Sequence, residues 1–165
     1  MNTSTAERNR EVTSSLANDL SRLLREFSRD YERRIGRALA QRGYPDIRPA
    51  HCNVLANLGT GAVRVTELAE RAQVTQQAMG KMLKELERMG YVARDVDSSD
   101  KRARAIRLTE AGTELALAAV SATDAVRAQY AAKVGELELA ELESNLRRAL
   151  GRLDLDYLPD SWAQS

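Results

Sequence analysis

The chain is short of the residues that build enzyme sites. Histidine and cysteine occur once each, as the neighbours His51 and Cys52. A single cysteine excludes an intrachain disulfide and a cysteine-rich zinc site, and it suits a reducing, cytoplasmic setting. Neighbours on a helix point about 100° apart, so His51 and Cys52 do not face each other as base and nucleophile. No Gly-rich phosphate loop, G-x-S-x-G or metal-ligand cluster occurs. No catalytic residue, metal or cofactor is therefore expected, and the chain reads as a non-enzyme. Aromatics, at 4%, are too few to line an aromatic cleft. The longest apolar run, Leu115 to Val120, is far short of the ~20 residues that cross a bilayer, so no membrane partner is expected. The start, MNTSTAERNREVTSS, has no apolar stretch of the secretory kind.

Proline and glycine are scarce too, while Ala, Leu, Glu and Arg abound, which biases the chain to helix. Its 165 residues fit one ordinary domain or one chain of an intertwined dimer. A net charge of +1 hides segregation. Residues 20–42 hold seven arginines against three acids, and residues 62–109 hold ten Lys/Arg against seven acids. Residues 136–160 reverse the balance, with three arginines against seven acids. A nucleic-acid binder needs a local positive footprint, not a positive total.

From about Ser14 to Arg42, apolar residues recur every three or four positions, which predicts a long amphipathic helix ended by Gly43. An arginine stripe (22, 25, 29, 33, 37) runs beside the apolar one. It is either a solvated face or a partner for the acidic C-terminal segment, in the same chain or a second copy. Pro49 opens a second helix to about Leu58. Val63 to Val65 could make a very short strand, and Thr66 is the expected cap of a third helix, TELAERA. Only Gln73 and Val74 separate it from a fourth helix capped by Thr75, which fits a helix-turn-helix. Met79, Met82, Leu83, Leu86 and Met89 form the buried stripe of that fourth helix. Its opposite face carries Gln76, Gln77, Gly80, Lys81 and Lys84.

Tyr91 to Val96 reads as a strand, Asp97-Ser98-Ser99-Asp100 as a turn, and the following residues as a return strand carrying Lys101, Arg102, Arg104 and Arg107. Thr109 caps a fifth helix with the stripe Leu115, Ala119, Ala122, Val126 and Tyr130. Gly135 separates it from a sixth, with Leu139, Leu142, Leu146, Leu150 and Leu153. A polar helix followed by a basic hairpin is the layout of a winged helix-turn-helix on double-stranded DNA. The glutamines can pair with adenine edges, and Lys81 or Lys84 can take a guanine or a phosphate. Hairpin cations can neutralise phosphates or enter a narrow minor groove. Gly80 costs its helix about 1 kcal/mol against alanine. Either close helix packing or close approach to DNA would explain it.

The segment D-S-S-D-K-R-A-R-A-I-R-L-T, from Asp97 to Thr109, resembles the wing signature of the MarR family of transcriptional regulators, D-P-x-D-[RK]-R-A-x-x-x-x-L-T. L-E-R-M-G-Y-V-A-R (Leu86 to Arg94) and R-P-A-H-C-N-V-L (Arg48 to Leu55) are similar to neighbouring parts of that family. Ser98 replaces a frequent proline, and Lys101 a frequent arginine, which keeps charge but loses a bidentate fork. The resemblance implies a mainly α fold with a small β-wing: about six helices and a two- to three-stranded antiparallel sheet. It implies a winged lobe at 48–109, a helical dimerisation region at 12–47 and 110–160, and a flexible tail at 1–11. It places the DNA contacts on Thr75, Gln76, Gln77, Gly80, Lys81, Lys84, Arg94, Ser98, Ser99, Asp100, Lys101, Arg102 and Arg104. Asp100 would brace the wing, Arg94 would support it or touch phosphate, and Lys101 or Arg102 would probe the minor groove. It further implies a homodimer, a pseudo-palindromic operator, repression, and release by a small anionic or aromatic effector near Tyr31, Arg34 and His51. Cys52, in the second helix, reads as a covered and inert thiol. The competing reading is a dimeric helical interaction protein that no longer binds an operator.

Overall fold

The computed structural model describes residues 7–10, 12–13, 19–59, 61–96, 104–153, 155 and 157. Helical backbone at 7–10 and 12–13 precedes the first long helix, α1 (Leu20–Gln41). The helix expected from Ser14 starts at Leu20, because the Asp19 side chain accepts from the Arg22 N–H at 3.3 Å and caps it there. Then follow α2 (Pro49–Leu58), β1 (Val63–Arg64), α3 (Val65–Arg71), α4 (Gln76–Arg88), β2 (Val92–Val96), β3 (Arg104–Leu108), α5 (Glu110–Val134) and α6 (Glu136–Leu153).

The three strands form an antiparallel sheet in the order β1-β3-β2. Val63 pairs with Ile106 and Arg64 with Ala105, so β1 closes the edge of the hairpin. This pairing also corrects the expected start of α3. Arg64, still extended in the sheet, occupies the cap position, and Thr66 is already the second helical residue. Ile106 is fully buried and Leu108 packs against the core, so the return strand is rooted as its alternation predicts.

Leu39 of α1, Val54 and Leu58 of α2, Leu68 of α3, Met79, Leu83 and Leu86 of α4, and Leu115 and Val126 of α5 meet in one core. Each such residue contributes about 1.5–3 kcal/mol by leaving water. Three of the scarce aromatics gather where α1 crosses α5. Phe27 and Tyr31 stand 5.2 and 5.0 Å from the Tyr130 ring, and the Tyr130 hydroxyl donates to Asp30 Oδ2 at 2.6 Å.

A compact joint ties α4, β2 and α5 together. The Thr109 hydroxyl donates to the Gly90 carbonyl at 2.6 Å and accepts from the Gly112 N–H at 3.0 Å. The Thr109 N–H donates to the Tyr91 carbonyl at 3.1 Å. A Cβ on Gly112 would lie 1.9 Å from that same carbonyl oxygen, so only glycine lets α5 sit this close.

The terminal helices are less covered. Leu139 of α6 is buried, but Leu142 and Leu146 are each 36% exposed, Leu150 47% and Leu153 64%. Leu20, Leu23 and Leu24 at the start of α1 are exposed as well. The arginine stripe of α1 pairs locally, Arg29 with Glu26 at 3.1 Å and Arg33 with Asp30. Within the chain the acids of α6 are met by Arg127 of α5. That side chain grips Glu143 with two nitrogens at 2.8 and 3.0 Å and reaches Glu136 at 3.0 Å. No helix among the described residues is long and apolar enough to cross a membrane.

Candidate nucleic-acid interface

The helix α4 is held by its apolar stripe and offers the other side to solvent. The Thr75 hydroxyl accepts from the Ala78 N–H at 3.1 Å, fixing the first turn. Gln73 precedes it with φ +51, a left-handed turn residue that swings the chain from α3 into α4. Met79, Leu83 and Leu86 are fully buried, and Met82 and Met89 are half-buried. Thr75, Gln76, Gln77, Lys81 and Lys84 are exposed, as their spacing predicts.

Thr75, Gln77, Gly80, Lys81, Lys84 and Arg88 line one shallow groove. Arg88 was missed in the sequence, although its position one turn beyond Lys84 continues the basic face. Gly80 lies on the same face. A Cβ built there meets nothing within 4 Å, so the glycine does not serve helix packing within the chain.

Glu85 also lines the groove, yet it is turned to structure. The buried His51 of α2 accepts from the Arg48 backbone N–H through Nδ1 at 3.3 Å. That leaves Nε2 to donate to Glu85 Oε2 at 2.9 Å. Arg48 pairs with the same carboxylate. The His51 hydrogen bond, then the Arg48 charge, hold the Glu85 carboxyl below its ordinary range. This cluster clamps α4 to α2, and it spans too much sequence to be read from spacing.

At the wing, Arg94 donates through Nε to Glu87 Oε2 at 3.1 Å, which ties β2 to the end of α4. Arg104 opens β3, opposite Val96. Ser98, Ser99, Asp100, Lys101 and Arg102 lie outside the described residues.

The three residues expected to line one effector site do not meet. Tyr31 packs on Tyr130 and donates to the Thr123 carbonyl at 3.4 Å. Arg34 is committed to Asp30 at 2.7 Å and stacks 5.5 Å over the Tyr130 ring. His51 faces α4 on another side, as part of the clamp just described. A cleft of about 500 Å³ opens instead between α1, α2 and α5, and none of the three lines it. Cys52 does, and burial pushes its thiol up, consistent with an inert side chain. Among the described residues no group of His, Cys, Asp and Glu could hold a metal ion.

The model of the MarR family matches residues 46–103, from the end of the α1–α2 link through the wing. The transcriptional regulator HosA of Escherichia coli O157:H7 is 30% identical over 104 residues, 62% of this chain and 75% of HosA. The chain belongs to the MarR family. Its relatives are transcriptional regulators, not enzymes. The exopolysaccharide II synthesis transcriptional activator ExpG of Rhizobium meliloti is 32% identical over 97 residues, 59% of this chain and half the length of ExpG. Among solved structures, apo MarR of E. coli shares the fold with a TM-score of 0.70 at 24% identity, over 80% of this chain and 97% of that one. A MepR mutant of S. aureus, bound to an oligodeoxyribonucleotide, matches with a TM-score of 0.54 at 26% identity, over 82% of this chain and 98% of that one. The mainly helical fold with its three-stranded wing sheet is thus the winged-helix fold of MarR proteins.

Proposed function

We propose that this MarR-family chain is a cytoplasmic, sequence-specific repressor that binds double-stranded DNA as a homodimer and is released by a small-molecule effector. The observation that carries this reading is the exposed face of α4. Five polar or basic residues, Thr75, Gln77, Lys81, Lys84 and Arg88, surround a glycine whose missing side chain serves no packing within the chain. Such a face fits a major groove. Gln76 and Gln77 suit adenine edges, Lys81 and Lys84 a guanine or phosphate, and Arg88 a phosphate. Lys101, Arg102 and Arg104 would supply the cations for the adjacent minor groove, beside the strand that Arg94 ties to the end of α4. The oligonucleotide-bound MepR relative supports the same use of the fold.

Residues 48–109 act as the reading lobe in this proposal, and 12–47 with 110–160 as the dimerisation region. The uncovered leucines of α1 and α6 supply the surface for a second copy. Two-fold symmetry then calls for a pseudo-palindrome with half-sites about one helical turn apart.

A salt-titrated mobility-shift experiment tests the reading, using fragments of the DNA that flanks the gene and random DNA. Affinity should fall steeply with salt, with one fragment preferred throughout. Equal binding to random DNA, or none, would leave the helical interaction protein as the better account. ExpG is named an activator, which gives the opposite direction of control a specific basis. A promoter-reporter strain lacking the gene separates the two, since loss of a repressor raises output.

A further inference from the structure

The cleft between α1, α2 and α5 has a sign. Its lining is largely apolar, with Ile35, Leu55 and Val120 among the residues. Among the described residues its only charged lining groups are two carboxylates, Glu32 from α1 and Asp124 from α5, with no lysine or arginine. Glu32 accepts a hydrogen bond from the Ser28 hydroxyl at 3.1 Å, and no ion pair engages either carboxylate among the described residues. Arg34, the residue expected to attract an anion, points its charge into Asp30 instead. We propose that the cleft binds an organic cation, an amine carried on an apolar body, with Glu32 and Asp124 flanking the charge. This replaces the anionic effector expected from sequence.

Three further points favour it. The volume of about 500 Å³ lies within the usual range of small-molecule sites. The chain as a whole is slightly positive, so its net charge would not draw in cations; only a local field can. That field is felt by a neighbour: burial raises the Cys52 thiol, and the Glu32 charge adds to the upward push. The site is also connected. Cys52 and Asn53 line it from α2, the helix that His51 and Glu85 clamp to α4. A ligand wedged against α2 therefore pushes on the DNA-reading helix through one hydrogen-bonded contact.

The inference rests on the effector-released reading above, and one matched pair of probes tests both. Using the full chain at neutral pH, calorimetry compares 1-naphthylmethylammonium with 1-naphthoate, which share a ring system and differ in charge. The ammonium should bind at least about tenfold more tightly, which is about 1.4 kcal/mol. It should also slow alkylation of Cys52. The exposed double variant Glu32→Gln/Asp124→Asn should fold normally, bind the ammonium more weakly and lose the preference. A naphthoate that binds as well, no binding of either probe, or a preference that survives in the double variant overturns the proposal. If the ammonium binds with the expected preference but protein–DNA complexes persist in its presence, the cation site stands and release by an effector falls.

Discussion

Leu83 on α4 and Leu146 on α6 both sit in apolar stripes of helical period, yet Leu83 is fully buried while Leu146 is more than a third exposed. The winged lobe closes its stripes against its own helices and sheet, and it leaves polar and basic side chains outside. The terminal helices reverse this. Several of their charges pair within the chain, through Arg127 and the local pairs of α1, while many of their leucines stay outward. Under the proposed function, a surface left polar at one end and apolar at the other serves different partners at the two ends. The polar end suits nucleic acid, and the apolar end suits a second copy of the chain.

The sharpest way to break this contrast is to charge the apolar end. Leu146→Glu with Leu150→Glu should weaken dimerisation by about 4 kcal/mol, or about a thousandfold, because two carboxylates would have to leave water. Sedimentation would read the change, and circular dichroism should show that helix content is kept. An unchanged dimer would mean that α6 does not form the interface. Next in size, Gly112→Ala should lower stability by about 3 kcal/mol in urea unfolding, since its methyl group collides with backbone rather than a yielding side chain. Arg88→Ala should cost roughly tenfold in operator affinity and reduce the salt dependence by about one counterion, without changing dimerisation. An unchanged salt slope would remove Arg88 from the interface.

The acid side of the stability profile is a smaller effect. Glu85 and Asp30 both have carboxyls lowered in the fold, Glu85 chiefly by His51 and Asp30 chiefly by Tyr130, then Arg34. A lowered carboxyl stabilises fully above its ordinary value, and the contribution is lost as pH falls through the folded value. The loss should therefore begin below the ordinary values of 4.5 and 3.8. Thermal unfolding of Glu85→Gln should show less dependence on pH between about 5 and 3 than the parent chain. A parallel profile would detach the clamp from stability. Smallest of all, Gly80→Ala should raise stability by up to about 1 kcal/mol while weakening the operator complex. If affinity is kept, DNA does not approach the helix at that point.

Local signals were legible in the sequence. Thr75, Thr109, Gly43 and Gly90 mark ends that the structure places where they were expected, because caps and left-handed turn positions depend on a few adjacent residues. Thr66 misled, since the true start of α3 is set by the pairing of Arg64 with Ala105, some forty residues away. The face of α4 followed from helical period, and Arg88 could have been found the same way. The clamp of Arg48, His51 and Glu85, the grip of Arg127 and the charge of the cleft could not. Each depends on which helix lies against which, and a single sequence with one histidine gives no pairing rule for that. The same limit explains why Tyr31, Arg34 and His51 were grouped: they belong to helices that pack together, but they point to different sides.

The joint at Gly90, Tyr91, Thr109 and Gly112 makes the wing's root and the first turn of α5 move as one body. With 25 residues, α5 is a rod about 37 Å long. If its far end were anchored in a dimer, a tilt of about 5° would carry the joint by roughly 3 Å, close to the ~3.4 Å rise of one base pair. Operator spacing would then act as an angular gauge. A complex that tolerates one base pair of error would tolerate only a few degrees in the rod, and a cleft lined by α5 needs no larger movement to change what the protein can bind.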